Sequence, residues 1–302
     1  MEYAPIILFT YCRPVHTRKT VEALLANEEA KYTDLYIYSD AAKNEKAEEG
    51  VKLTREYIHT ITGFKSIVIV EREKNWGLAP SLIDGIAKVI NERKRAIIVE
   101  DDIWTSPYFL KYMNDGLNIY ANNPKVASIV GYTYPIKEKL PETFFIKGTG
   151  CWGWATWERA WKVFNSDAEY LLTEIKRRRL QRKFDFDYTY PYVNMLQQQI
   201  KGKISSWAIR WYASAFLKDM YSLFPGQSMV FQGGMDGDGG THCNAETHLY
   251  DVKVRMTPVN IVPQTTIEQS EDAYQAIREY LSGLLSRRFR MKWFIKRLFN
   301  LS

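Results

Sequence analysis

The stretch AIIVEDDIW, residues 96–104, sets four apolar residues, Ala96, Ile97, Ile98 and Val99, directly before Glu100, Asp101 and Asp102. An apolar run of this kind marks a strand covered on both faces. Carboxylates at its end lose hydration and repel one another until something compensates them. Three further strands precede it, at PIILFTY (5–11), DLYIYSD (34–40) and SIVIVE (66–71), with RAIIVE (95–100) the fourth. Between them lie helical patterns at 17–26, where Val21, Leu24 and Leu25 recur at helical spacing, at 46–61, and at 80–94, which opens on a proline. Strands alternating with helices predict an α/β fold built on a single Rossmann-like, mostly parallel sheet flanked by helices.

Past the acids, Ser106 and Pro107 read as an N-cap and first-turn pair for a helix to about Tyr120, and VASIVGY (126–132) as the next strand. From about residue 143 the chain turns aromatic and less periodic. CWGWATWERAW (151–161) holds four tryptophans in eleven residues, and a helix near 190–201, the segment SSWAIRWYASAFLKD (205–219) and a glycine-rich loop GGMDGDGGTHC (233–243) follow. No repeat or low-complexity linker interrupts this. The expectation is one domain over 1–270, with halves at 1–105 and 106–270, and then a separate basic amphipathic helical tail at 271–302.

Of the 302 residues, 46% are hydrophobic and 25% charged, which suits a globular protein with a core, while 14% are aromatic. Such rings either fill the core or line carbohydrate sites. The net charge of +6 is concentrated in KRRRLQRK (176–183) and SRRFRMKWFIKR (286–297). No nucleic-acid-binding motif accompanies it, which points away from nucleic acid and toward an anionic surface. In the tail, Met291, Phe294, Ile295, Leu298 and Phe299 form one stripe, with Arg290, Lys292, Lys296 and Arg297 off it. That pattern serves an interfacial membrane helix or a helix docked on the domain equally well. Cys12, Cys151 and Cys243 suggest neither a disulfide framework nor a zinc site. The N-terminal MEYAPIILFTYC reads as a strand and not a signal peptide. A cytoplasmic setting is expected, peripheral on the inner face of the membrane if the tail is an anchor.

In open α/β sheets, ligands bind outside the carboxyl ends of the strands, where Glu100–Asp102 lie. If the chain stays extended there, Glu100 and Asp102 share one face and Asp101 points away. Such oxygen ligands suit Mn2+ or Mg2+, which are held by one or two carboxylates plus substrate phosphates. A solvated acidic turn is the plain alternative. YCRP (11–14) closes the first strand, and NWGLAPSLIDGI (75–86) supplies Asn75, a turn glycine at Gly77 and a helix N-terminus that can face phosphate.

In this order the motifs resemble GT-A-fold nucleotide-sugar glycosyltransferases, over most of residues 4–245. VEDDIWTSPYFLKYM (99–113) carries the nearest likeness to the Golgi N-acetylglucosaminyltransferase that begins complex N-glycans, and CWGWATWERAW to bacterial surface-polysaccharide sugar transferases. The resemblance implies a metal-dependent transferase moving a sugar, from a UDP-sugar by preference, to a glycan or lipid-linked acceptor. The half at 1–105 would bind nucleotide and the half at 106–270 acceptor. Asp102 and His242 would meet the metal. Thr10, Arg13, Asp40, Asn75, Gly77, Ser81, Glu100 and Asp101 would hold the donor, and Trp152, Trp154 and Arg210 would wall the acceptor. Trp157 and Trp161 are expected in the core. One departure stands out: SWAIRW (206–211) has Ala208 and Ile209 where the inverting Golgi enzyme has acids. Asp187 and Asp236 are therefore the candidate bases for an inverting transfer, unless the mechanism is retaining, and a non-catalytic nucleotide- or carbohydrate-binding protein is the alternative. A sugar-phosphate nucleotidyltransferase is disfavoured, because TYCRPVHTR (10–18) lacks a glycine-rich loop.

Overall fold

The apolar runs become strands at the centre of one sheet. A computed structural model describes residues 3–236 and 247–284. Along the first half run β1 (Ile6–Thr10), α1 (Pro14–Leu25), β2 (Asp34–Ser39), α2 (Glu45–Ile58), β3 (Ser66–Glu71), α3 (Leu78–Arg93) and β4 (Arg95–Glu100). Next come β5 (Ile103–Thr105), α4 (Phe109–Ile119), β6 (Val126–Val130), β7 (Thr143–Lys147) and β8 (Trp154–Trp157). The remainder is α5 (Glu158–Trp161), α6 (Ala168–Arg177), α7 (Gln181–Phe184), α8 (Tyr192–Ile200), α9 (Trp207–Leu217), β9 (Tyr221–Pro225), β10 (Val230–Gln232) and α10 (Glu271–Leu284).

The main sheet has eight strands in the order β3-β2-β1-β4-β8-β6-β9-β7. The first four are mutually parallel, β8 runs antiparallel between β4 and β6, and β7 is an antiparallel edge beside β9. The α/β class and the mostly parallel sheet are therefore present. Half of the strands come from residues beyond 105, so the two expected halves share one sheet. A two-stranded sheet, β5 with β10, sits apart from it.

Boundaries shift for local reasons. α1 begins at Pro14, three residues before the expected start, because proline fits the first turn of a helix. α3 begins at Leu78 behind Gly77, whose φ of 76° requires glycine even though space around it is open. α4 begins at Phe109, and the Ser106 hydroxyl accepts from Tyr108 N at 3.2 Å instead of capping a longer helix.

Two apolar clusters result. One lies around β1, β4 and β6 with α1, α3 and α4. The other gathers Leu171, Ile175, Phe184, Leu196, Ile209 and Phe216 from α6 to α9. α10 buries Ala273, Ile277 and Leu281 in this second cluster, so the described beginning of the tail is docked on the domain and not separate from it. The apolar stripe and basic residues of 285–302 lie outside the described residues. Among the described residues no helix is long and apolar enough to cross a membrane.

Candidate active site

β1 and β4 are neighbours in register, with Phe9 opposite Glu100, so the segments that follow them meet. The chain does not stay extended past Glu100. It turns at Asp101 and Asp102 before β5, and Gly233 N donates to Asp102 O at 2.7 Å to hold that turn. The expected alternation of faces therefore fails. Asp101 and Asp102 instead both reach one guanidinium: Arg13 Nη2 pairs with Asp101 Oδ1 and, at 2.8 Å, with Asp102 Oδ2. All three side chains are at most 14% exposed, so this is a buried charge cluster and not a solvated acidic turn. The compensation that the three acids require is supplied, in part, from within the chain.

It is incomplete. Burial pushes Glu100 up to about 8, helped by the charges of Asp102 and Asp101 and opposed by Arg13. Burial also raises Asp101, against the pull of Arg13. Arg13 itself is raised, because the two aspartates outweigh the cost of its own burial. Asp102 Oδ1, Arg13 Nη1 and Thr10 Oγ1 are buried without a hydrogen-bond partner. Polar atoms left so are uncommon in a folded core and call for a ligand or water.

The second edge of the site is built by Asp40, just past β2. Its carboxylate accepts from Trp76 N at 2.9 Å, Gly77 N at 2.8 Å and Asn75 Nδ2 at 3.1 Å, while Asn75 Nδ2 also reaches Ala41 O at 2.8 Å. Asp40 and Asn75 thus fix the turn that opens α3. Ser81 is buried inside that helix, with its N donating to Gly77 O, and presents little surface to a ligand.

A third edge comes from the loop after β10. A methyl at Gly234 would collide with Asp102 Oδ2 and lie 2.9 Å from Arg13 Nη1, so this backbone rests directly on the ion pair. Two residues on, Asp236 Oδ2 meets His16 Nε2 at 2.9 Å. His242 lies outside the described residues.

The remaining candidates are not gathered here. Asp187 is committed elsewhere, with Oδ1 held by Arg182 Nε at 2.8 Å and Oδ2 by Arg278 Nη1 at 3.3 Å. Arg210 donates to Ser206 O and Ser166 O, at 3.1 and 3.4 Å. Trp154 is corrected outright as a wall residue: it is fully buried in β8 and packs on Trp161, Trp207 and Trp211. Its ring is covered by Trp161 of α5 and by Trp207 and Trp211 of α9, so it is not open to a cleft. Trp157 and Trp161 are buried as expected. Trp152 is half-buried and meets Tyr132 and Tyr250 edge-on, with centroids at 4.6 and 5.4 Å.

Three groups were not picked out from the sequence. His16 lies one helical turn beyond Arg13 and becomes visible once α1 is started at Pro14. Trp76 is an exposed ring at the tip of the Asn75–Gly77 turn, with the Arg72 guanidinium 3.9 Å from its centre. The Cys151 thiol is pushed up by burial, with the charges of Glu100 and Asp102 adding to the shift.

No protein-family model and no curated protein matches the sequence. Among solved structures it is similar to a mannosyltransferase from Pyrobaculum calidifontis in complex with GDP-Man and Mn2+, at 11% identity and TM-score 0.32 over 45% of this chain; the aligned part spans only 37% of that enzyme. A UDP-glucose pyrophosphorylase complexed with UDP-glucose aligns over 53% of this chain and 78% of its own, at 13% identity and TM-score 0.32. A provisionally described nucleotide-diphospho-sugar transferase from Desulfovibrio desulfuricans aligns over 70% of this chain and 99% of its own, at 13% identity and TM-score 0.36. The functional reading rests on the site's own geometry.

Proposed function

We propose that this chain is a glycosyltransferase that moves a sugar from a nucleotide-diphosphate donor, a UDP-sugar by preference, to a glycan or lipid-linked acceptor. The observation that carries the reading is the buried cluster of Arg13, Asp101 and Asp102 at the adjoining ends of β1 and β4, with Asp102 Oδ1 unpartnered. A single buried carboxylate oxygen with no donor suits a hard divalent ion whose other ligands come from a diphosphate. Among the described residues no three candidate ligands come together, so Asp102 is the protein's proposed ligand for Mn2+ or Mg2+. When bound, the ion would supply charge neutralisation at the leaving diphosphate.

The chain's own groups have separable tasks in this reading. Arg13 orients Asp102 by holding its second oxygen. Asp40 and Asn75 shape the turn ahead of α3 against the nucleotide, and Glu100, protonated near neutral pH, can donate a hydrogen bond to the donor sugar. Transfer forms a bond from the acceptor oxygen to the anomeric carbon, and the electron pair of the broken bond leaves with the diphosphate. The acceptor proton must go to a base within hydrogen-bond reach. Asp236 is favoured over Asp187, because its loop lies on the Arg13–Asp102 pair whereas both oxygens of Asp187 hold arginines.

One observation keeps a non-catalytic binding protein as the second reading: Ile209 is buried in α9 and Ala208 carries no acid. Thermal unfolding with a panel of nucleotide sugars, with and without Mn2+, tests donor binding, since a ligand of the native state raises the midpoint. Hydrolysis or transfer of the stabilising donor then separates the two readings.

A further inference from the structure

We infer that the basic segment spanning the end of α6 and all of α7 is a docking face for an anionic lipid surface. Between Glu174 and Lys183 the chain carries six basic residues, Lys176, Arg177, Arg178, Arg179, Arg182 and Lys183, against the single acid Glu174. Every one of the six is exposed. The fold explains why. Leu171, Leu172, Ile175 and Phe184 point into the second apolar cluster, which turns the intervening positions outward.

Part of this charge is used locally. Glu174 holds Arg177 and Arg178, at 2.7 and 2.9 Å, and Arg182 meets Asp187 at 2.8 Å. Lys176, Arg179 and Lys183 make no ion pair among the described residues. Arg179 is held at φ 56°, a conformation uncommon for a residue with a side chain, in the turn that joins the two helices. Like charges crowded in this way repel one another, a cost that a solvated face has no need to carry and that an anionic surface relieves.

Lipid is favoured over nucleic acid by what accompanies the charge. Tyr170 is 51% exposed on the outer face of α6, seven residues before Arg177. α8, which packs against α6, ends on Ile200, 41% exposed, followed by exposed Lys201 and Lys203. Seven residues are two helical turns, so Tyr170 lies on the same side of α6 as Arg177, and Ile200 with its lysines stands at the end of α8. An exposed ring and an aliphatic beside basic residues match the membrane interface, where rings sit at headgroup level and each basic residue adds attraction to anionic lipid. This inference stands on the surface alone and holds whether or not the chain is a transferase.

The test is co-sedimentation of the full chain with sucrose-loaded vesicles at 0.1 M salt. Vesicles of phosphatidylcholine with about a third phosphatidylglycerol are compared with phosphatidylcholine alone. Binding is expected only with the anionic lipid, weakening as salt rises. The triple variant Lys176→Gln, Arg179→Gln, Lys183→Gln is expected to bind about tenfold more weakly or worse. The control Lys65→Gln, Lys88→Gln, Lys111→Gln, which removes equal charge from exposed positions elsewhere, is expected to bind like the parent. All these chains keep residues 285–302, so the difference between the variants reports on the α6–α7 face. The inference is overturned if the parent does not bind anionic vesicles or if both triple variants behave alike. It is equally overturned if the first variant keeps vesicle binding and loses only affinity for a DNA duplex. Circular dichroism and thermal midpoints confirm that the variants are folded.

Discussion

Arg13 Nη2 lies 2.8 Å from Asp102 Oδ2 while the same nitrogen also contacts Asp101, so one guanidinium answers two buried carboxylates. Breaking a buried pair strands a charge, and costs about 3–5 kcal/mol. Arg13→Ala is expected to lose stability of this order in urea unfolding at pH 7 and to recover part of it as the acids are protonated at lower pH. Arg13→Lys keeps the charge but is expected to restore only a fraction, because its shorter side chain brings the ammonium less close to the point where Nη2 meets both carboxylates.

Glu100 supplies a pH dependence of definite sign. Unfolded, it ionises near 4.5; folded, it holds its proton up to about 8. Between these values the folded chain binds more protons, so stability falls as pH rises. The penalty is absent below the lower value and complete above the upper, and is on the order of 3–5 kcal/mol. Glu100→Gln removes it. The variant should match the parent near pH 4.5 and gain on it steadily to pH 8, measured by denaturant unfolding across that range.

Gly234 tests the contact between the loop after β10 and the ion pair. A methyl there collides with Asp102 Oδ2, and overpacking of this kind costs about 1–3 kcal/mol. Gly234→Ala is expected to lower the thermal midpoint and weaken Mn2+-dependent donor binding at least tenfold. Gly202→Ala, at a positive φ with nothing within 4 Å, should lower stability without changing donor affinity.

The two candidate bases separate cleanly. Asp236→Asn is expected to reduce transfer about a hundredfold or more while leaving the donor KM near that of the parent. Asp187→Asn should leave turnover close to the parent and instead cost stability, since it weakens the links to Arg182 and Arg278. Steady-state kinetics with the stabilising donor decide this.

Much of the first half was legible because its strands are apolar runs covered on both faces, a signal that survives without knowing the partners. The carboxyl ends of β1 and β4 can therefore be read from the sequence as the place where a ligand is expected. The strand's end at Glu100 was legible from RAIIVE, but the choice between an extended run and a turn at Asp101 was not, because the loop whose Gly233 N donates to Asp102 O lies far away in sequence. β8 was missed for a related reason. WATW is short, and its antiparallel place between β4 and β6 is set by long-range pairing, so Trp154 read as a sugar-stacking ring when it is core. Arg13 was singled out for a nucleotide, yet its acidic partners could not be seen from 88 residues away.

The central claim is that Asp102 couples a divalent ion to a diphosphate donor. Titration calorimetry of UDP-sugars against the parent and Asp102→Asn, with Mn2+ and with EDTA, tests it most directly. The account predicts donor binding by the parent that depends on Mn2+ and falls about a hundredfold or more in Asp102→Asn, with the variant still folded. Donor binding that is the same with Mn2+ or EDTA, or unchanged in Asp102→Asn, would contradict it.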